Sequence, residues 1–280
     1  MKRTVVVTDS SGQPWRPHTG RHVARSVVVV PIMILLADRQ MPDHQTDPSL
    51  LNEAIAAGQP LKTRAPSVMD YLDAIEVTDT QSAVIITPAT EVTAMWRHAS
   101  HTPWLADRPV TVVDSRTAAS GQSLVVQAAA DAAAAGNSMT EVAAVAREAA
   151  RRARVLGAVG SVEPLVASGM VQRGPVAAEA ARRTRPMVFE ARQGMIEPLR
   201  VIDGEDPATA LADLYLRDRR APVRGAAGPL VFTSAGPGPD MQAMARRLAQ
   251  LVGCEQPPQG CSAAMTVYTG RDVIGLAWLD

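Results

Sequence analysis

Two aspartates followed by hydroxyl residues close apolar runs in this chain. Asp9-Ser10-Ser11 follows Val5-Val6-Val7-Thr8, and Asp114-Ser115 follows Val110 to Val113. A carboxylate beside hydroxyls and free backbone N–H groups can hold a divalent cation, accept a phosphoryl group or fix the polar end of a ligand. The same residues also build ordinary turns, because Asp and Ser side chains hydrogen-bond to backbone two residues on. Neither aspartate has a second carboxylate close in sequence with which to share an ion. A metal-dependent phosphotransferase or hydrolase using Asp9 or Asp114 is therefore an alternative rather than the leading reading. His98 and His101 stand at helical spacing, yet no Cys or paired carboxylate lies nearby to complete a zinc site. Gly236-Pro237-Gly238-Pro239 lacks the Lys and Ser or Thr of a phosphate loop, and its prolines remove N–H donors. There is no Gly-x-Ser-x-Gly elbow and no Gly-x-Gly-x-x-Gly fingerprint. No catalytic residue, metal or cofactor is expected.

Composition narrows the partners. Lys plus Arg and Asp plus Glu both number 28, so the chain carries no net charge that would favour nucleic acid or an anionic membrane surface. Aromatics are 3 %, too few for a base-stacking platform. Apolar residues are 46 %, with 12 Met, so the core is aliphatic and its cavities suit hydrocarbon as well as packing. The run Val27 to Ala37 is interrupted by Pro31 and is too short to span a membrane. The apolar stretch before Thr8 is too short for a signal-peptide core. Cys254 and Cys261 read as two thiols rather than a disulfide, and a cytoplasmic location is expected.

The elements that must position these residues alternate. Strands are expected near residues 5–8, 27–36, 82–87 and 109–114. Between them lie a polar Pro-rich loop through Trp15 and Gly20, a loop over 38–48 and a polar turn at Lys62–Ser67. Helices are expected over 48–57, 67–75, 90–100, 120–135 and 138–155, with Asp47, Ser67 and Ser138 as N-caps. Short strands alternating with helices make a parallel α/β sheet, and ligands bind at the carboxyl ends of such strands. Beyond residue 155 the strands are expected at 156–161, 187–190, 196–201, 229–234 and 263–268, with Gln193-Gly194 as a hairpin turn. Helices over 163–168, 176–183, 207–219 and 241–251 separate them. The expectation is α/β with two domains, a parallel N-terminal sheet in residues 1–155 and a mixed or antiparallel sheet in residues 156–280. The crevice between them is the natural ligand site.

Several segments taken together resemble the DegV family of fatty-acid-binding proteins over nearly the whole chain. Val7-Thr8-Asp9-Ser10-Ser11 is similar to the family's opening strand and turn, and Val30-Pro31-Ile32 to its next strand. Lys62-Thr63-Arg64-Ala65-Pro66-Ser67 resembles its Lys-Thr-Ser-Gln-Pro-Ser turn, and Val112 to Ser115 with Ser120-Gly121 its Ile-Asp-Ser strand and following helix. Ser161 to Leu165 with Gly169, Arg185-Pro186, Gly194 to Pro198, and Thr269-Gly270 with Gly275-Leu276 resemble later family segments in the same order.

The resemblance implies a non-enzymatic lipid carrier that buries a long-chain fatty acid in an apolar tunnel. It also implies a fatty-acid kinase as partner, to which the acyl carboxylate is presented. By position, Thr63 and Thr93 are the implied carboxylate-binding hydroxyls, with Ser10, Tyr268 and Thr269 as further candidates. Arg271 or Arg64 would supply positive charge. The chain departs from the family pattern where Met170 replaces an arginine, Tyr268 replaces a histidine, and Ala94-Met95 replaces Gly-Thr. A regulatory or interaction subunit that keeps the fold without a ligand is the second alternative.

Overall fold

A computed structural model describes residues 3–12, 27–218 and 228–280. The stretch expected as a Pro-rich loop from Trp15 to Gly20 lies outside them. Strand β1 (Thr4–Asp9) is wholly buried, as its run of β-branched residues requires. Beside it lie β2 (Val27–Val30), β6 (Ser82–Thr87) and β7 (Val110–Asp114), in the all-parallel order β2-β1-β6-β7. Helices α5 (Ala119–Ala134) and α6 (Met139–Arg152) cover one face through Val6, Val84, Ile86 and Val113. On the other face Val5, Val7 and Ile85 pack against Tyr71 and Ile75 of α2 (Val68–Glu76) and Ala99 of α3 (Met95–Ala99). The N-caps expected at Ser67 and Ser138 are both formed, each within a capping box, with Asp70 and Glu141 as reciprocal partners.

A six-stranded mixed sheet forms the second half, in the order β10-β9-β8-β13-β11-β12. Its strands are β8 (Ala153–Val159), β9 (Met187–Arg192), β10 (Met195–Val201), β11 (Leu230–Thr233), β12 (Gln259–Gly260) and β13 (Val273–Leu279). One face packs Leu156, Ala158, Ile274 and Leu276 under α9 (Pro207–Asp218) and α10 (Pro239–Val252). The other carries Val155, Val159, Phe189 and Val273 with α7 (Glu163–Ala167) and α8 (Pro175–Arg183).

Five expectations need correction. The strand expected over Val27–Leu36 is two strands in different sheets. Pro31 cannot donate a ladder bond, and after it β3 (Met33–Leu36) turns away to pair with β4 (Arg39–Pro42) and β5 (Leu61–Arg64) in an antiparallel sheet. The loop expected over 38–48 therefore contains β4 and a 3-10 turn at Asp43–Gln45, before α1 (Pro48–Ala56) begins on its Asp47 cap. The turn expected at Lys62 is strand β5, whose half-buried Leu61 and Thr63 alternate with exposed Lys62 and Arg64, a period-2 pattern disguised by polar residues. The helix expected over 90–100 shrinks to α3, because Thr93 accepts the Met95 N–H (3.3 Å) and holds the preceding residues in a turn. The strand expected at Ala263–Tyr268 is helix α11 (Ala263–Thr269), stopped at Gly270, where φ is 76°. The central strand supplied by β13, after the Gly270–Asp272 break, was not expected from the sequence.

Candidate functional site

The carboxyl edge of the parallel sheet faces the mixed sheet across a narrow cavity enclosing about 640 Å³ of empty space, part of it open to solvent. The parallel half contributes Ala89 and Val92 after β6, and Thr117, Ala118 and Ala119 at the start of α5. The mixed half contributes Val155, Phe189, Phe232 and Val273 from four adjacent strands, with Met195 and Ile196 from β10. Leu165 and Met170 close one wall, and Cys261, Met265 and Thr269 another. The lining is almost wholly apolar. Such a wall rejects ions and sugars and accepts hydrocarbon, at roughly 0.8 kcal/mol per buried methylene.

The β9–β10 hairpin closes the rim. Gln193 (φ 50°) and Gly194 (φ 85°) form the left-handed turn that joins antiparallel strands with matching twist. The Gly194 N–H donates to the Arg116 carbonyl (2.7 Å), and the Glu91 carboxylate lies where a β-carbon on Gly194 would be. The loops after β6 and β7 are thereby pinned to the hairpin.

The residues singled out in the sequence fall in three places. Thr63 on β5 and Tyr268 on α11 are hydrogen-bonded to each other through their hydroxyls, 205 positions apart in the chain. Thr269, the next residue of α11, lines the cavity, and its hydroxyl donates to the Met265 carbonyl (3.1 Å). Thr93 follows cavity-lining Val92, and its hydroxyl proton remains available while its oxygen accepts from Met95. A small cluster of Ile32, Ala65, Met95 and Ala264 packs the segments carrying Thr63, Thr93 and Tyr268 together. Ser10 lies elsewhere. It is buried, accepts the Ile32 N–H (2.9 Å), and lines a separate polar cleft with Asp43 and Ser262. Arg271 is exposed beside Asp272 (3.6 Å) and does not line the cavity, and Arg64 is exposed on β5.

Asp9 is fully buried and serves the fold. It accepts hydrogen bonds from the Ser11 N–H (2.9 Å), the Ser11 hydroxyl and the Gln122 amide (2.7 Å). Burial pushes its carboxyl above the ordinary range against the pull of those donors. Gly12 leaves room for this arrangement, because a β-carbon there would sit 2.4 Å from the Gln122 side chain. Asp114 accepts from the Arg116 N–H (2.7 Å) and the Thr90 hydroxyl (3.3 Å), and partial burial and then nearby Glu91 raise its carboxyl. β6 separates the two aspartates, and each is held in its own hydrogen-bond set. Among the described residues, no three or more His, Cys, Asp or Glu gather as metal ligands, and no helix is long and apolar enough to cross a membrane.

One candidate was missed by sequence reasoning. Arg192, exposed at the end of β9, nonetheless lines the cavity, and its guanidinium makes no ion pair among the described residues. Its only sequence signal is its place immediately before the Gln193-Gly194 turn. The Cys261 thiol, also in the wall, is pushed up to about 12 by burial, which keeps it protonated at neutral pH.

The family model described as "Uncharacterised protein, DegV family" matches residues 3–280. No curated protein matches the chain. Solved structures match it end to end. A DegV family protein from Thermus thermophilus, described for its fatty acid binding, is 20% identical with a TM-score of 0.79, covering 99% of this chain and 100% of that one. The Streptococcus pneumoniae fatty acid kinase (Fak) B3 protein loaded with linoleic acid is 20% identical, with a TM-score of 0.79 and 99% of each chain covered. A fatty acid binding DegV family protein from Streptococcus agalactiae is 14% identical with a TM-score of 0.81, covering 100% of this chain and 99% of that one. The parallel-plus-mixed α/β architecture is thus shared with all three.

Proposed function

The chain belongs to the DegV family, and on that premise we propose that it is a carrier of long-chain fatty acids with no catalysis of its own. The observation that carries this reading is the apolar cavity between the two sheets, with Thr269 in its wall and the hydrogen-bonded Thr63–Tyr268 pair at the neighbouring position of α11. An acyl chain of about fifteen methylenes contributes roughly 12 kcal/mol gross on burial, from which immobilisation removes several. A carboxylate left unpaired costs several more, so the head group needs donors. Thr63, Thr93 and Tyr268 supply them in this reading, and Arg192 rather than Arg271 supplies the charge. The chain divides near residue 155 into two domains that close on the ligand from either side. It works in the cytoplasm and presents the carboxylate to a partner kinase, the role suggested by its likeness to the Fak B3 protein.

Native mass spectrometry of the purified protein, followed by denaturing extraction, tests the reading. A mass excess resolving into a long-chain fatty acid is expected. Thr63→Ala should weaken binding by about ten-fold, the worth of one hydrogen bond to a charged group. A bare polypeptide mass that stays bare after incubation with fatty acids would sink the carrier reading and leave a ligand-free regulatory subunit.

A further inference from the structure

The chain has only two phenylalanines, Phe189 and Phe232, and both lie on the cavity floor. They belong to a single row across four strands. Phe189 on β9 is opposite Gly157 on β8, Gly157 is opposite Gly275 on β13, and Gly275 is opposite Phe232 on β11. Cross-strand partners share a face of the sheet, so all four positions look toward the cavity. Each ring lies down over the neighbouring glycine. A β-carbon on Gly157 would sit 2.3 Å from Phe189 Cζ, and one on Gly275 would sit 2.3 Å from Phe232 Cζ.

We infer that the Phe189–Gly157–Gly275–Phe232 row is the chain-length gauge of the cavity, fixing how long an acyl chain it accepts. The inference rests on the carrier reading above. Two glycines side by side cost a sheet stability, since neither has a side chain to pack. Here they let two aromatic rings lie flat and keep the floor low. Carbon atoms pack at about 3.5–4.0 Å, so a methyl group on Gly157 lifts the Phe189 ring by more than an ångström. Among the described residues, the ring faces the cavity it lines. The lift removes room for one or two methylenes, each worth about four-fold in affinity.

The test is competitive loading with an equimolar mixture of straight-chain saturated acids from twelve to eighteen carbons, read by extraction and mass spectrometry. Gly157→Ala is the chosen variant because the three atoms nearest its β-carbon all belong to the far end of the Phe189 ring. Gly275 is avoided because a β-carbon there also meets the Leu156 carbonyl at 2.4 Å. Relative to wild type, Gly157→Ala should lower the ratio of the eighteen- to the sixteen-carbon acid by about four- to fifteen-fold. Phe189→Leu alone should shift the profile toward longer chains, and the double variant Gly157→Ala/Phe189→Leu should return it toward wild type. A folded Gly157→Ala protein with the wild-type profile would overturn the gauge and leave the carrier reading intact. If Gly157→Ala does not fold, an unchanged profile in Phe189→Leu overturns it instead. Wild-type protein that takes up none of the acids overturns the carrier reading, and the gauge falls with it.

Discussion

Asp9 is the polar residue with the most at stake in the parallel half. Its carboxylate has no solvent and depends on Ser11 and Gln122 for every hydrogen bond. Burial raises its folded-state pKa above the unfolded value. The folded protein therefore holds that proton more tightly, and the associated stability is complete at low pH and fades as pH rises through the folded pKa. Gln122 is fully buried, and its amide also donates to the Thr8 hydroxyl (3.1 Å). Gln122→Ala removes a donor that favours the ionised form, so the folded pKa rises further. The variant should lose about 1–3 kcal/mol at pH 7 and less at pH 4, because lower pH favours the protonated form, which depends less on that donor. Denaturant melts at the two pH values measure the difference. An equal loss at both would mean that Gln122 does not hold an ionised Asp9. The serine and aspartate of this turn were legible as turn-formers. Their partner Gln122, 113 positions from Asp9, was not, because nothing local to α5 distinguishes it.

Hairpins and capped helices carry their instructions locally. The Gln193-Gly194 turn, the Ser67 N-cap and the Ser138 capping box could be read from adjacent residues because turn type and cap geometry depend on four or five positions. The hairpin's role at the cavity rim could not. It depends on Glu91 and Arg116 arriving from the parallel half. Gly194→Ala should cost about 1–3 kcal/mol by forcing a side chain into a left-handed conformation. It should also push Glu91 off the hairpin and loosen the rim, giving faster fatty-acid release in a stopped-flow displacement assay. Lower stability with an unchanged release rate would confine the hairpin to a folding role. α11 was misread as a strand because Thr266 and Val267 are β-branched. Tertiary contacts outweigh that preference. The Thr266 hydroxyl accepts the Ala235 N–H (3.2 Å), and Ala263 packs with Ile34 and Leu51.

At the level of the whole molecule, the cavity joins two independently patterned sheets, so filling it should strengthen the folded state by mass action. A fatty acid at a hundred times its dissociation constant adds about 2.7 kcal/mol. For a chain of this size that is a rise in Tm of roughly 5–10 °C. Differential scanning fluorimetry with and without oleate checks it, with Mg²⁺ as a parallel arm. The fatty acid should raise Tm and Mg²⁺ should not. A rise with Mg²⁺ alone would revive Asp9 or Asp114 as ion ligands.

The sequence by itself determined the α/β class, the parallel half with its strand ends in Thr and Asp, most helices and their caps, and the resemblance to a fatty-acid-binding family. These follow from periodicity, capping and short motifs, all of which act over a few residues. Only the tertiary structure decided that Val27–Leu36 serves two sheets, that Ser10 and Arg271 stand apart from the cavity, and that Arg192 lines it. It also laid the two phenylalanines over Gly157 and Gly275. Each of those facts is a meeting of segments distant in the chain. Strand order and packing create them, and local preference carries no record of which strands will be neighbours.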